Sequence, residues 1–195
     1  RDVKDEFYSI VVKSREKGFR GSFLQLEKLK KGNRLLDIGC YAGVFMEIAR
    51  DNGWDVCGIE PSGRASMIGR ERGLDIRNCA AEDIDKIDGK FDMITMWDVI
   101  EHLSDPSGAL TLCSGKLNDN GIIAISTMRC EGIFYSLCRK RWPWFMRMHL
   151  YYFTFDTLKR MLEKTGFRVI LVRPYVHYAN LSYLFYKLGI RSSFF

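Results

Sequence analysis

Short apolar runs alternate with stretches whose apolar residues recur every three or four positions, and this exchange repeats along most of the chain. Leu35–Ile38, Asp55–Glu60, Asp75–Asn78 and Phe91–Met96 have the length and composition of buried strands. After the first, Val44, Phe45, Ile48 and Ala49 share one helical face, and Gly53 is a stop. Ser62 caps a second helix that runs through Arg72 to Gly73. Asp105-Pro106 opens a third, reaching Leu117, with proline at its first position. Asn118–Gly121 reads as a turn and Gly121–Ser126 as a fifth strand. Thr154 caps an amphipathic helix with Phe155, Leu158, Met161 and Leu162 inward and Gly166 as its stop; Val169–Val172 follows as a late strand. Residues 1–31 mix charge with Phe7, Tyr8, Ile10, Val11, Phe19 and Phe23. They read as two helices broken near Gly18–Gly21, either packed on the domain or forming a lid over a ligand. Strands and helices alternating at this spacing predict a doubly wound, mostly parallel α/β sheet in one domain, 1–195.

The densest local pattern is Arg34–Phe45, where an apolar run ends in Asp37 and is followed by Gly39-Cys40-Tyr41-Ala42-Gly43. Glycines there let the backbone approach a ligand, and free N–H groups at the next helix start can hydrogen-bond it. Glu60 ends the next apolar run 17 residues beyond Gly43, near where a nucleotide-binding sheet presents a carboxylate to ribose hydroxyls. A dinucleotide fingerprint sets a helix dipole against a pyrophosphate, and a neighbouring carboxylate would oppose that. Asp37 instead suits a ligand carrying positive charge or ammonium groups.

Asp37-Ile38-Gly39-Cys40-x-x-Gly43 resembles motif I of the class I S-adenosylmethionine (SAM) methyltransferases, whose cofactor is a cationic sulfonium with an amino-acid tail. Tyr41 departs from that family's glycine or small residue, so either the turn adjusts or the ring folds over the cofactor. Phe91–Leu103, with Asp98-Val99-Ile100-Glu101-His102-Leu103, resembles the branch containing ubiquinone-biosynthesis O-methyltransferases and many bacterial small-molecule and sugar methyltransferases. His149–Thr154, running into Leu158 and Gly166-Phe167, resembles the same branch. The resemblance spans residues 35–172 and implies a Rossmann-like sheet of about seven strands with helices on both faces. It implies that Asp37, with the turn backbone of Gly39 and Gly43, holds the methionine moiety. Glu60 would accept from the ribose hydroxyls, or be simply an acid at a strand end. The backbone of Ala81 and the side chain of Glu82 would meet the adenine, although many relatives have an acid where Ala80 stands. Trp97 would pack near the reactive end, or serve as a core aromatic.

Methyl transfer from a sulfonium is an in-line displacement, so positioning and exclusion of water supply much of the catalysis. A hydroxyl nucleophile also needs a base, and histidine titrates in the right range. Of His102, His149 and His177, His149 is the candidate, because it lies where the substrate-side segment 127–150 rejoins the sheet. A structural role is its alternative, and His102 is read as fixing the turn after the fourth strand. No metal is required on this reading. Asp98, Glu101 and His102 are nevertheless a possible ligand set on one turn, and some metal-dependent relatives use a similar Glu-x-x-Glu-His.

Composition narrows the setting. The net charge of +6 permits contact with nucleic acid or an anionic membrane but indicates neither. Six cysteines without a Cys-x-x-Cys pair disfavour a zinc ribbon and fit a reduced, cytoplasmic protein. No apolar stretch reaches the roughly 18 residues of a membrane span, and no signal peptide is visible. A chain that starts at Arg1 is expected of a fragment of a longer protein. Residues 139–147 interleave Arg139, Lys140, Arg141 and Arg147 with Trp142, Trp144 and Phe145. They could stack bases, sit at the inner face of a membrane with the apolar tail Tyr178–Phe195, or wall a substrate pocket. Resemblance favours the pocket, and with it O-methylation of a small molecule or of a sugar of a bacterial surface polysaccharide or lipid-linked glycan. A non-catalytic SAM-binding partner protein is the second reading. A nicotinamide dehydrogenase is the third, disfavoured by Asp37 and the missing third glycine.

Overall fold

Among the described residues, five parallel strands form a sheet in the order β3-β2-β1-β4-β5. They are β1 (Arg34–Ile38), β2 (Asp55–Ile59), β3 (Asp75–Arg77), β4 (Phe91–Trp97) and β5 (Leu117–Ser126). The helices are α1 (Val3–Leu29), α2 (Val44–Asp51), α3 (Gly63–Glu71), α4 (Pro106–Lys116), α5 (Ile133–Cys138) and α6 (Phe155–Lys164). The computed structural model describes residues 3–29, 32–138 and 145–174. Residues 139–144 of the basic-aromatic stretch, His177 and the tail Tyr178–Phe195 lie outside the described residues.

Alternation along the strands divides the core in two. Leu36, Ile38, Cys57, Ile59, Ile94 and Met96 face Leu110 and Cys113 of α4, with Leu158, Met161 and Leu162 of α6 packed behind. Leu35, Val56, Met93 and Trp97 face Phe19 and Phe23 of α1 and Phe45 and Ile48 of α2. Helices therefore cover both faces, and strand order reverses direction between β1 and β4, where open α/β sheets bind ligands. Ser62 and Thr154 cap α3 and α6 as expected, and Gly53, Gly73 and Gly166 follow the helix ends with positive φ.

Four expectations change. The described residues hold five strands, not seven: residues 167–174 form none, and Ile170, Leu171 and Val172 are exposed. A β-prone run needs a ladder partner, and among the described residues this one has none. The N-terminal segment is one helix rather than two. Each interior glycine costs about 1 kcal/mol. Burial of Phe19 and Phe23 against Phe45 and Trp54 returns roughly 1.5–3 kcal/mol per side chain. The expected turn at Asn118–Gly121 lies inside β5 as a bulge, with Asn120 at φ 56° and the register slipping from Phe91↔Leu117 to Met93↔Ile122. Phe155 is exposed rather than inward. The cysteines Cys40, Cys57, Cys79, Cys113 and Cys130 are free thiols, and burial pushes Cys113 up to about 12.

Candidate cofactor site and acceptor-side cluster

The carboxyl end of β1 turns sharply into α2. Gly39 (φ 68°) and Gly43 (φ 80°) take left-handed conformations. A Cβ on Gly39 would come within 2.5 Å of Val99 Cγ2, and one on Gly43 within 2.2 Å of Leu74 Cδ1. The Gly39 and Cys40 amides donate to the Ile59 carbonyl at 2.7 and 3.1 Å, locking the turn to the end of β2. Tyr41 between the glycines also has a positive φ, 54°.

Glu60, one residue past β2, is buried and supports that turn. Its Oε2 accepts from the Tyr41 amide at 2.9 Å and its Oε1 from the Ser62 amide at 2.8 Å. A carboxylate oxygen has a second lone pair, so each can still accept one ribose hydroxyl. Asn78 holds the backbone on the far side by donating to the Glu60 and Pro61 carbonyls.

A cavity of about 170 Å³ opens over the turn, lined by Arg15, Phe19, Asp37, Gly39, Cys40, Tyr41, Val44 and Trp97. Asp37 is 1% exposed, and burial, reinforced by the Glu60 charge, pushes its carboxyl up to about 7. The Thr95 hydroxyl and the Arg15 charge pull the other way. Such a carboxyl gains from a cationic ligand, which would favour its ionised form. Trp97 lines the cavity and packs at 5.4 Å from Phe19 and 4.9 Å from Phe45.

Gly43, Glu60, Ala81 and Glu82 are not among the lining residues. Gly43 caps α2 behind the turn. Ala81 is buried at the start of a 3-10 turn, Ala81–Lys86. Glu82 is exposed and accepts from the Ser104 hydroxyl at 2.6 Å, tying the loop after β3 to the loop after β4.

A second cluster lies one 3-10 turn (Ile100–His102) beyond Trp97. Ligand atoms of Glu101, His102 and His149 all fall within 4.8 Å of one another. Asp98, expected beside Glu101 and His102, is engaged elsewhere, by Arg15 at 3.3 Å and reciprocally by Ser126, whose hydroxyl donates to Oδ1 and accepts from the Asp98 amide. Its φ of 56° turns it out of the cluster, and His149 stands with Glu101 and His102 instead. The Leu150 and Tyr151 amides donate to the Glu101 carbonyl at 2.8 and 3.2 Å, which brings His149 in. His149 is buried, 4.7 Å from the His102 ring and 5.5 Å from Tyr152.

His102 Nδ1 lies 2.9 Å from the Met148 carbonyl. A carbonyl only accepts, so that nitrogen carries a proton, and in the neutral ring Nε2 is the nitrogen with the free lone pair. Glu101 is 2% exposed, and neither carboxylate oxygen has a hydrogen-bond partner among the described residues. Burial raises its pKa; the Thr127 hydroxyl nearby lowers it in part without reaching hydrogen-bond geometry.

Residues 14–172 match the family described as "Methyltransferase domain". The chain belongs to that methyltransferase family. Its cofactor is S-adenosylmethionine. The chain is 32% identical over 174 residues to a ubiquinone biosynthesis O-methyltransferase of Aeromonas salmonicida, covering 81% of this chain and 71% of that protein. It is 33% identical over 123 residues to the protein of that name from Cereibacter sphaeroides, covering 60% of this chain and spanning 50% of the relative's length. A SAM-dependent methyltransferase structure from Archaeoglobus fulgidus shares the fold, with a TM-score of 0.67, 24% identity and coverage of 86% and 75%.

The candidate site also takes in residues to which the sequence assigned no individual role. Arg15 and Phe19 enter from α1, one helical turn apart on one face. Thr95 and Ser126 hold the two acids at the strand ends. The i, i+4 spacing in α1 was a usable signal; the two hydroxyls gave none.

Proposed function

We propose that this methyltransferase moves the methyl group of SAM to a hydroxyl oxygen of a small-molecule or glycan acceptor. The observation that carries this reading is the Glu101–His102–His149 cluster, with Glu101 and His149 buried and His102 half-buried, placed one turn beyond the cavity wall at Trp97. The relatives named O-methyltransferases support the choice of oxygen. Asp37, the 39–43 turn and Glu60 would hold the cofactor, with Trp97 on the wall of the same cavity. When bound, SAM would supply an electrophilic methyl group for displacement by the acceptor oxygen, with the neutral thioether as the leaving group. His149 takes the hydroxyl proton, and burial around it excludes competing water. The test uses methyl-labelled SAM with a panel of phenols and sugars. Label should appear on oxygen, and His149→Ala should lower turnover by roughly 10²–10⁴ without changing SAM affinity. Label on nitrogen or carbon acceptors alone, or none in any acceptor, contradicts the reading.

One observation favours a second reading of the same cluster. A buried carboxylate with two unpartnered oxygens, beside an imidazole whose Nε2 lone pair is fixed by a carbonyl on Nδ1, fits a divalent cation. Glu101, His102 and His149 would hold it, and when bound it would supply Lewis acidity to the acceptor hydroxyl. Metal analysis of the purified chain, with Mg²⁺, Mn²⁺ and Zn²⁺ titrations, separates the two. Stoichiometric ion lost in Glu101→Gln supports the cation; none bound at millimolar metal supports His149 as base.

A further inference from the structure

We infer that Tyr41 is a cofactor-positioning residue whose ring closes the SAM cavity, held at the mouth by a strained backbone. The inference rests on the cofactor assignment. Three residues of this turn have left-handed φ, and two are glycine, for which that conformation is free of strain. The third is a bulky aromatic at φ 54°, where a side chain meets the following carbonyl. Relaxation is opposed on both sides. The Tyr41 amide is bonded to Glu60 Oε2 and the Gly43 amide to the Cys40 carbonyl, both at 2.9 Å. Glycine would satisfy the turn at lower cost, so the ring has to be useful elsewhere for the strain to be tolerated.

Its position supplies the use. Tyr41 lines the cavity together with Phe19 and Trp97, two aromatics that are already buried, at 5% and 8% exposure. Tyr41 is 45% exposed and therefore has surface left to bury when a ligand arrives. An aromatic wall beside the acid Asp37 suits a cationic sulfonium, which is attracted to ring faces. Because the Tyr41 amide shares Glu60 with the expected ribose contact, ribose binding and ring placement are fixed by one carboxylate.

Three substitutions in the full chain test this, with SAM affinity by calorimetry and the melting temperature of the unliganded protein. Tyr41→Gly should weaken SAM by about tenfold, the scale of one lost aromatic contact, while raising the melting temperature. Tyr41→Ala keeps the strain and loses the ring, so it should weaken SAM equally without that gain. Tyr41→Phe should stay within about twofold of the wild type on both readouts. Affinities of the Gly and Ala variants within twofold of wild type overturn the inference. So does weakening in Tyr41→Gly alone, which would assign the loss to loop freedom. A wild-type chain that does not bind SAM would instead overturn the cofactor assignment.

Discussion

Thr95 Oγ1 donates a 2.6 Å hydrogen bond to Asp37 Oδ1 between register partners on adjacent strands. The pair lies on the α1 side of the sheet, beneath the cavity, and the bond offsets only part of what burial costs the carboxylate. Asp37 consequently titrates at about 7 in the folded protein and near 3.8 when unfolded. The folded state therefore binds that proton more tightly. Stability of the unliganded protein should fall as pH rises from 3.8 to about 7, by up to roughly 1.4 kcal/mol per pH unit, and level off above. Denaturation of wild type and Asp37→Asn across that range checks it, since the asparagine variant lacks this contribution.

The same carboxyl should make cofactor affinity depend on pH. Ionised Asp37 attracts the sulfonium, so SAM binding should tighten as pH rises through about 7, more than binding of the neutral thioether product. Asp37→Asn should lose more affinity for SAM than for the thioether. Equal losses for both ligands would place Asp37 in the turn or against the amino group instead.

Glu60→Ala should weaken SAM by about 1.5–3 kcal/mol, as for a charge-assisted hydrogen bond, and should loosen the 39–43 turn. Glu60→Gln should not rescue it. Its amide nitrogen would face the Tyr41 or the Ser62 amide, both of which donate to this side chain. Calorimetry on the folded variants decides the point, and unchanged affinity would remove Glu60 from the site.

Gly43→Ala should destabilise the fold by about 1–3 kcal/mol, because the new methyl would meet Leu74 Cδ1 at 2.2 Å in a backbone at φ 80°. Gly53 has a similar φ, 87°, but open space around its Cβ position. Gly53→Ala should cost only the conformational part, about 1 kcal/mol. Urea denaturation of the two variants separates crowding from conformation, and equal costs would contradict the packing argument.

The strand ends were legible because buried parallel strands are continuous apolar runs, and Asp37, Glu60 and Trp97 each interrupt or close one. Caps at Ser62 and Thr154 were legible because their hydroxyls act within three residues. What stayed hidden depends on contacts across the fold. The continuity of α1 through Gly18 and Gly21 is decided by Phe19 and Phe23 meeting α2. Residues 167–174 have strand composition, but composition cannot supply a ladder partner. The place of Asp98 was taken by His149 because Arg15, 83 positions earlier, and Ser126, 28 later, claim its carboxylate.

The most direct test of the account is a SAM titration of the wild type, Glu60→Ala and His149→Ala by calorimetry, because it needs no knowledge of the acceptor. The wild type should bind one equivalent, Glu60→Ala should lose at least about tenfold in affinity, and His149→Ala should bind like the wild type. No binding by the wild type, or equal weakening in both variants, would contradict a cofactor site at the ends of β1 and β2 with His149 on the acceptor side.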